Sequence, residues 1–413
     1  MNDSTRRIIL VISLAIIVLA IYWLSHPTDS STSLDQSSLN SHTGNANAVA
    51  GATSIPSQGQ NSTFQNDSTT PLFSPKTTYI SDPARIASKA LQYTRAPELN
   101  GITGAINTYG APITLEGLRG KVVLLDFMTY SCINCIRTFP ALSAWYSTYK
   151  DQGLVVIGVH TPEFQFEKEY DNVAAAVQQY HLLFPIVLDN NMAVWNAYHN
   201  RYWPHQFLID EDGFIRYDHI GEGGDTDTDV MIRKLLEEAG SAPNNQTATI
   251  ITNAPSPDET NVMLMSPETY TGSDRNPGIG SAKSNCASNT CTYEDASSHQ
   301  RDVIYLNGTW DQENEYLQYA GSEVGYLSLA YQADAINAVL STDQGTFETE
   351  VLLDGKPLTS SVAGKDIIFH DGLSYVNATM SRLYELTNHD FAAHEITLIT
   401  KNPNFRINSF TFG

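Results

Sequence analysis

The sequence predicts two folded domains behind a membrane anchor, an α/β domain with a central sheet and then an all-β sandwich. Three observations lead to this fold class. An apolar run fills residues 8–24, strand and helix patterns alternate between residues 122 and 239, and only strand patterns follow residue 266. A chain of 413 residues with 41% hydrophobic side chains is long and apolar enough to form two cores.

The run 8–24 contains no charged residue and no proline, and Arg6 and Arg7 precede it. As a helix it would be about 25 Å long, slightly less than a hydrocarbon core of about 30 Å. The two arginines place residues 1–7 in the cytoplasm and the chain after Ser25 outside. A cleaved signal peptide is the alternative, but the run is long for one and no A-x-A-like site follows closely. We therefore expect an uncleaved single-pass anchor with extracytoplasmic domains.

Two segments have the composition of flexible chain. Residues 25–80 consist mainly of Ser, Thr, Asn, Gln and Gly, and residues 241–265 are rich in Pro, Asn, Ser and Thr. Such segments bury too little apolar surface to offset the entropy cost of ordering. We expect a disordered stalk and a linker, respectively. The formal net charge of −22 argues against nucleic acid or anionic lipid as a partner and suits solubility in an external medium.

Residues 82–240 carry the α/β pattern. Two short apolar stretches, 97–99 and 113–115, flank glycine-containing turns and predict a hairpin. Strands and helices then alternate, which predicts a central sheet with helices on both faces. The last two strands are joined by Asp212-Gly213 and should be antiparallel. The predicted strands are 122–127, 154–159, 186–188, 205–209 and 214–219, and the predicted helices are 133–150, 166–180, 192–198 and 228–239.

Residues 266–413 show strand patterns without helices. Turn signals such as Asp354-Gly355 separate the strands, and even spacing of this kind favours a β-sandwich. A Gly/Ser/Asn-rich stretch near 273–300 predicts a disordered insertion. The predicted strands are 326–330, 335–340, 347–353, 382–386, 395–400 and 405–412.

Cys132 and Cys135 form a C-x-x-C motif between the strand 122–127 and the following helix. The first sulfur then lies at a helix N-terminus, where unpaired N–H groups and the helix dipole favour a thiolate. The second lies one turn inside, near enough to close a disulfide. Half of a zinc site has the same spacing, but a structural zinc needs two more ligands and no second C-x-x-C exists. The motif favours a reversible dithiol–disulfide centre, with no metal and no other cofactor.

Two further residues support a redox centre. Asp126 stands six positions before Cys132 at the end of an apolar strand, where burial would raise its pKa and let it relay a proton to the inner thiol. A surface carboxylate at the strand end is the alternative. Pro204 precedes the strand 205–209 and cannot donate to a β-ladder. We expect a cis Trp203–Pro204 bond facing the dithiol, with a trans proline that only caps the strand as the alternative.

Several runs within residues 97–236 carry a family resemblance: D-F at 126–127, T-Y-S-C-I-N-C-I-R-T at 129–138, H-T-P-E-F at 160–164, Y-W-P at 202–204 and G-E-G at 221–223. This part of the chain resembles the thioredoxin superfamily in its TlpA/ResA-like extracytoplasmic branch, and most of all the C-terminal region of DipZ-type proteins. The tail continues the resemblance through S-P-E-T-Y at 266–270, L-N-G-T-W at 306–310, R-L-Y-E-L at 382–386 and F-T-F-G at 410–413.

The resemblance implies a thioredoxin-like α/β domain followed by a jelly-roll sandwich similar to carbohydrate-binding modules. It implies that Cys132 is the nucleophile and Cys135 the resolving thiol. Asp126 would be the buried proton carrier, and Pro204 the cis-proline of the substrate groove. We also expect four neighbours of these residues to line that groove: Ser131, Ile133, Asn134 and Trp203.

This sequence departs from the family pattern in three ways. Met128 stands where these proteins usually have tryptophan, and His205 follows the proline where a smaller residue is common. Both differences leave the direction of electron flow open. The polytopic electron-delivering membrane part of DipZ-type proteins is missing, so the resemblance implies a separate membrane partner that donates or accepts electrons.

The second cysteine pair, Cys286 and Cys291, lies within the predicted insertion. A local structural disulfide of modest stabilising effect is the favoured interpretation, and a second redox pair or a metal site is the alternative. In the same domain Trp310, Tyr316 and Tyr331 could stack on a sugar ring, although core packing is favoured for each of them.

The sequence therefore predicts an extracytoplasmic, membrane-anchored thiol–disulfide oxidoreductase that works through a Cys132/Cys135 cycle on protein disulfides or dithiols. Two other functions stay open. A thiol peroxidase of peroxiredoxin type would use Thr129, three residues before Cys132, although Leu125 occupies the place of the expected proline. A cell-wall protein would bind glycan through residues 266–413 and use the first domain as a scaffold.

Overall fold

The computed structural model of the chain describes residues 79–241, 248, 264–343 and 345–413. The predicted cytoplasmic stub, the anchor at 8–24 and nearly all of the stalk and linker lie outside these ranges. Among the described residues, no helix combines the length and apolarity needed to cross a bilayer.

A six-stranded sheet forms the centre of the first domain. Its strands are β1 (Gly104–Ile106), β2 (Val122–Met128), β3 (Leu154–His160), β4 (Ile186–Leu188), β5 (His205–Ile209) and β6 (Ile215–Ile220). They lie in the order β1-β4-β3-β2-β5-β6. The pairs β2–β3 and β3–β4 are parallel, and the other three pairs are antiparallel. The α/β prediction and the antiparallel pairing of the last two strands are therefore confirmed.

Both faces of β2 are covered, which explains its apolar sequence. Val122 and Leu124 belong to one core, whereas Val123 and Leu125 belong to the core on the opposite face. Because successive side chains of a strand point to opposite faces, a strand covered on both sides needs a continuous apolar run. The first helix, α1 (Pro83–Ala90), contributes no buried residue to these cores. The helices that do are α2 (Ile133–Tyr149), α3 (Tyr170–Gln179), α4 (Ala193–Ala197) and α5 (Asp225–Glu238).

The predicted hairpin of residues 97–99 and 113–115 is wrong. Neither stretch is a strand, and the first strand is instead β1, which pairs with β4. The two stretches are nevertheless neighbours, because the carboxylate of Glu98 accepts hydrogen bonds from the N–H groups of Leu115 (2.6 Å) and Glu116 (3.0 Å). The side chain of Glu98 therefore joins the two stretches, in place of the β-ladder that the apolar pattern predicts.

The second domain is built of strands that form one hydrogen-bonded sheet. Most of it follows the order β15-β16-β13-β17-β12-β18-β11-β10-β9-β8, with β14 on β13 and β7 on β18. The strands are β7 (Thr269–Tyr270), β8 (Ala282–Ala287), β9 (Thr290–Glu294), β10 (Ile304–Gln312), β11 (Leu317–Tyr319), β12 (Gly325–Leu340), β13 (Phe347–Leu353), β14 (Lys356–Pro357), β15 (Ile367–His370), β16 (Leu373–Ala378), β17 (Arg382–Thr400) and β18 (Arg406–Phe412). The domain is β-rich as predicted, and its jelly-roll order stays a prediction.

Two long strands replace four predicted ones. β12 contains both 326–330 and 335–340, and β17 contains both 382–386 and 395–400. The two strands pair along nearly their whole length, with register shifts between Ala333 and Ala335 and between Ile336 and Asn337. A bulge lets a strand change direction without ending, so a polar interruption in the pattern does not mark a turn here.

The predicted disorder near 273–300 is wrong over much of that stretch. β8 and β9 form an antiparallel hairpin, and β9 continues the sheet by pairing with β10. Cys286 and Cys291 are joined by a disulfide across this hairpin. β8 is the outermost strand with all six residues exposed, which explains why its polar sequence resembles flexible chain.

The aromatic residues considered for sugar stacking lie mostly in the core. Trp310 and Tyr331 are 0% and 1% exposed, and both belong to the main apolar cluster of the β-rich domain. The ring of Tyr316 is covered by the guanidinium of Arg406, 4.8 Å from the ring centroid. Core packing is therefore confirmed for Trp310 and Tyr331, and a buried ring cannot stack on a sugar.

The two domains contact each other beside the C-x-x-C motif. Ile133 and Phe164 of the first domain form a buried apolar cluster with Val339 and Leu383 of the second. The hydroxyl of Tyr130 donates a hydrogen bond to the backbone carbonyl of Ser381, 3.1 Å away. The β-rich domain thus covers one side of the loop that carries the dithiol.

Candidate active site

Cys132 is the N-cap of α2, immediately after the strand β2 and the turn 129–131. Its backbone is extended, and its sulfur accepts a hydrogen bond from the N–H of Cys135 at 3.4 Å. Cys132 is partly exposed, and both thiols are free in this structure. A helix N-terminus presents unpaired N–H groups to its capping atom, and here that atom is the sulfur of Cys132.

Cys135 lies one turn inside the helix and is fully buried. The pKa of its thiol is raised well above the ordinary value, because burial disfavours the thiolate and the neighbouring Cys132 and Asp126 add to this effect. The two sulfurs therefore differ in access, since one is partly exposed and the other is fully buried. This difference suits the exposed sulfur for attack on an external disulfide and the buried one for a later step.

Asp126 lies on the central strand β2, opposite Gln206 of β5, and is 0% exposed. Burial raises the pKa of its carboxyl well above the ordinary value, and the amide of Gln206 opposes this only in part. Among the described residues, neither carboxyl oxygen has a hydrogen-bond partner of ordinary geometry. The alternative of a surface carboxylate is therefore excluded, and the Asp126 carboxyl lies close enough to raise the pKa of Cys135 through its charge.

The Trp203–Pro204 peptide bond is cis. The carbonyl oxygen of Trp203 lies 3.9 Å from the sulfur of Cys132. The indole of Trp203 packs on Trp195, with 4.2 Å between ring centroids, and donates a hydrogen bond to the carbonyl of Thr161. Trp203 is partly exposed, so the indole and the backbone before Pro204 form one wall beside the exposed sulfur.

The four residues predicted to line a groove have different surroundings. Asn134 is exposed and Trp203 partly exposed, so both are accessible beside the dithiol. Ser131 is 1% exposed, and its hydroxyl points to a buried carboxylate. Ile133 is 8% exposed because the β-rich domain covers it. The prediction that Ser131 and Ile133 line the groove is therefore wrong, since neither side chain is accessible to a substrate in this arrangement.

Sequence reasoning missed Glu167, which belongs to the short 3-10 helix Gln165–Lys168 and is 0% exposed. Its carboxylate accepts four hydrogen bonds. The hydroxyls of Thr129 and Ser131 donate to Oε1, each at 2.5 Å, and the N–H groups of Glu163 (2.5 Å) and Phe164 (2.9 Å) donate to Oε2. The available signal was a glutamate three residues after the H-T-P-E-F run, but its partners at 129–131 are distant in sequence.

The pKa of Glu167 is raised from 4.5 to about 7. Burial is the main cause, the charge of Glu163 adds to it, and the hydroxyls of Ser131 and Thr129 oppose it. His160 lies on the other side of Thr129, with 3.4 Å between the ring nitrogen Nε2 and the hydroxyl oxygen. Burial lowers the pKa of His160 to about 3, so its ring is neutral at physiological pH.

The one group of three possible metal ligands among the described residues is remote from the dithiol motif in sequence: Asp210, Glu211 and Asp212. The ammonium group of Lys89 lies 2.8–2.9 Å from all three side chains. The position that a cation would occupy is therefore taken by a lysine of α1.

Two family matches divide the chain. Residues 87–218 match the AhpC/TSA family, and residues 266–413 match the family described as a thioredoxin like C-terminal domain. Protein DipZ of Mycobacterium bovis is 36% identical over 321 residues, which are 77% of this chain and 43% of DipZ. The thiol-disulfide oxidoreductase ResA of Halalkalibacterium halodurans is 35% identical over 128 residues, which are 31% of this chain and 68% of ResA.

This chain belongs to the thiol–disulfide oxidoreductase family. Another relative, the thiol-disulfide oxidoreductase YkuV of Bacillus subtilis, is 27% identical over 143 residues, which are 34% of this chain and 94% of YkuV. The chain spans less than half the length of DipZ.

Within the thiol–disulfide oxidoreductase family, the two relatives with that name match about a third of this chain, whereas DipZ matches most of it. The β-rich domain therefore extends this member beyond the length shared with ResA and YkuV. Its contact with Ile133 adds a surface beside the dithiol.

Proposed function

We propose that the chain catalyses thiol–disulfide exchange through a Cys132/Cys135 dithiol–disulfide cycle on protein substrates. One observation carries this proposal: a partly exposed sulfur caps a helix, and a fully buried thiol one turn away donates its backbone N–H to that sulfur at 3.4 Å. The raised pKa values of Cys135 and Asp126 support the same division of labour.

The cycle begins when the thiolate of Cys132 attacks one sulfur of a substrate disulfide. The substrate S–S bond breaks, one substrate thiolate leaves and takes a proton from water, and a mixed disulfide joins Cys132 to the other half. Cys135 then gives its proton to ionised Asp126 and attacks the sulfur of Cys132. The mixed disulfide breaks, the second substrate sulfur leaves as a thiolate and takes the proton from Asp126, and Cys132–Cys135 is oxidised. Two electrons have passed to the substrate.

Asp126 suits the proton transfer because its pKa is shifted in the same direction as that of Cys135. Transfer between two groups is most efficient when their pKa values are close, and burial raises both. Ordinary aspartate would be too weak a base for a buried thiol. The role of Pro204 and Trp203 is to present backbone to the substrate beside Cys132.

We further propose that residues 8–24 tether these domains to the outer side of the cell membrane, with residues 1–7 in the cytoplasm. A separate membrane partner would then restore the dithiol or accept its electrons, because the cycle needs a second redox couple. The direction depends on the reduction potential of the Cys132/Cys135 couple. A value of about −270 mV would make the protein a reductant, and one of about −120 mV an oxidant.

The test is reduction of insulin disulfides by dithiothreitol with the full chain as catalyst. Cys132→Ser should abolish the catalysed rate, whereas Cys286→Ser with Cys291→Ser should leave it unchanged because that pair lies in the β-rich domain. The proposal fails if Cys132→Ser retains the full rate.

The AhpC/TSA match over residues 87–218 favours a second candidate, a thiol peroxidase. In that chemistry Cys132 would attack a peroxide oxygen, release water or an alcohol and become a sulfenic acid, which Cys135 would convert to a disulfide with loss of water. Thr129, the residue expected to help, donates its hydroxyl to Glu167 instead. Consumption of hydrogen peroxide by the reduced chain, measured beside the insulin assay, separates the two activities.

A further inference from the structure

Glu167 is a buried carboxylate that the proposed cycle does not use, and its four hydrogen bonds join two loops. Oε1 binds the hydroxyls of Thr129 and Ser131 in the turn before the dithiol. Oε2 binds the N–H groups of Glu163 and Phe164 in the loop after β3. These four donors all depend on one fully buried carboxylate. Leaving any buried donor without an acceptor would cost free energy, so removal of this carboxylate should disturb both loops.

The turn held by Glu167 sets the backbone of Cys132. Ser131 is its direct neighbour, and the N–H of Cys132 donates to the carbonyl of Thr129 at 3.4 Å. The residues on both sides of Tyr130 are therefore fixed by one carboxylate, and Cys132 follows immediately. A shift of this turn would move the sulfur away from the N–H groups at the start of α2 and from the carbonyl of Trp203.

We propose that Glu167 is a positioning residue that holds the turn 129–131 so that the sulfur of Cys132 stays at the start of α2. The inference rests on the proposed function for its consequence, since a correctly placed sulfur is what attacks a disulfide. It concerns geometry alone, however, and is testable without any disulfide substrate.

The groups that face Glu167 allow the hydrogen bonds to be tested apart from the charge. Backbone N–H groups only donate, whereas the hydroxyls of Thr129 and Ser131 can donate or accept. In Glu167→Gln the side-chain oxygen can accept from the two N–H groups while its NH₂ group donates to the two hydroxyls. The network is then kept, and the proton of Thr129 is free to point at neutral His160. Glu167→Ala removes every acceptor.

The experiment measures alkylation of Cys132 by iodoacetamide in the reduced full chain at pH 7, followed by mass spectrometry of each cysteine. We expect Glu167→Ala to lower the rate constant at Cys132 about tenfold, the effect of losing a charge-assisted hydrogen-bond set, while Cys135 stays protected. Glu167→Gln should remain within about threefold of the parent chain. The matched control is Glu169→Gln, two residues away and exposed, which should change nothing.

Loss of fold and loss of positioning give opposite results. If Glu167 only stabilised the fold, its removal would expose both thiols, and alkylation of Cys132 and Cys135 would be unchanged or faster. That outcome, or a Glu167→Gln chain as slow as Glu167→Ala, overturns the inference. Should Glu167→Ala not fold, Ser131→Ala provides the second test. It should slow alkylation at Cys132 by a few-fold, and an unchanged rate there overturns the inference.

The insulin assay is run on the same proteins to separate this inference from the proposed function. A chain that reduces no protein disulfide but shows the expected alkylation series refutes the proposed function and supports the positioning role. A chain that reduces insulin at the parent rate, with alkylation unaffected by Glu167→Ala, supports the function and refutes the positioning role.

Discussion

Cys132 and Cys135 lie three residues apart, yet their surroundings give them different tasks. Cys132 is partly exposed at the helix N-terminus, and Cys135 is fully buried with a raised pKa. At neutral pH the buried thiol keeps its proton and cannot compete for an external disulfide. In the proposed cycle it acts only when the mixed disulfide at Cys132 brings a good leaving group within reach.

This difference predicts that Cys135→Ser traps the intermediate. The variant should form the mixed disulfide through Cys132 but lack the thiol that resolves it, so a covalent adduct accumulates. Incubation with insulin or another disulfide protein, then non-reducing electrophoresis and mass spectrometry, measures the adduct. Cys132→Ser is the matched control and should form none, because its remaining thiol is buried. Equal adducts in both variants would contradict the assigned order of attack.

Glu167 predicts a pH-dependent stability. Its pKa is raised from 4.5 to about 7, so between these values the folded chain binds a proton that the unfolded chain releases. Stability from this residue is therefore complete below pH 4.5 and falls as the pH rises to 7, by about 3 kcal/mol at about 1.4 kcal/mol per pKa unit. Glu167→Gln should remove that part of the slope. Calorimetric unfolding across this pH range, with Glu169→Gln as control, checks it; parallel curves for parent and Glu167→Gln would refute it.

At the residue scale, sequence reasoning located what is encoded locally. Cys132 and Cys135 form one motif, and Asp126 lies on the same strand-turn-helix unit, so their proximity follows from chain connectivity. Glu167 and the covering of Ile133 could not be predicted in this way. Their partners, at positions 129–131 for Glu167 and at 339 and 383 for Ile133, become neighbours only after the whole chain has folded.

At the scale of elements, the helix α1 is held to the first domain by charges on the turn between β5 and β6. The carboxylates of Asp210 and Asp212 are fully buried, and Lys89 contacts both at 2.8 Å. Arg85 makes two hydrogen bonds of 2.7 Å to Asp212. Burial alone would raise the pKa of Asp212, but these cations lower it below its usual range. This attachment is ionic, so an apolar pattern does not predict it.

Lys89→Ala should therefore destabilise the first domain more than a substitution on a surface helix usually does. It leaves buried carboxylates with fewer cations, and breaking a buried ion pair from one side costs about 3 kcal/mol. The unfolding transition of the first domain, followed in denaturant, measures the loss. Lys356→Ala, at an exposed position of β14, is the control and should change stability by less than about 0.5 kcal/mol. A similar small change in Lys89→Ala would show that Arg85 alone suffices.

The strands show what pattern reading can and cannot provide. The predicted bounds of β2 and β3 match the structure almost to their ends, because strands buried on both faces have nearly continuous apolar sequences. β5 also matches its predicted bounds, although it begins with His205 and Gln206. The pattern predicts two strands in place of each of β12 and β17, since their polar middle residues resemble turns. In the structure the two strands pair with each other across these residues, so each continues without a turn. Pairing energy from a distant segment overrides the local pattern.

At the scale of the whole molecule, the β-rich domain is part of the surroundings of the dithiol. Ile133, the residue after Cys132, is covered by Val339 and Leu383. The loop after β3 is also held from this side, because Glu163 accepts hydrogen bonds from Tyr270 at 2.8 Å and Arg275 at 2.7 Å. The residues accessible beside Cys132 are therefore Asn134 and Trp203. Under the proposed function, a folded substrate would present its disulfide from that side.

This arrangement predicts that a cavity in the contact loosens the start of α2. Leu383→Ala removes a side chain that is 2% exposed and touches the cluster around Ile133, which should cost about 3 kcal/mol of local stability. Backbone N–H groups in the first turn of α2 should then exchange hydrogen faster, and insulin reduction should change more than reduction of a small disulfide such as glutathione disulfide. Ile368→Ala, at a position 41% exposed on β15, is the control. Unchanged exchange at α2 in Leu383→Ala would mean that the first domain holds its dithiol without help from the second.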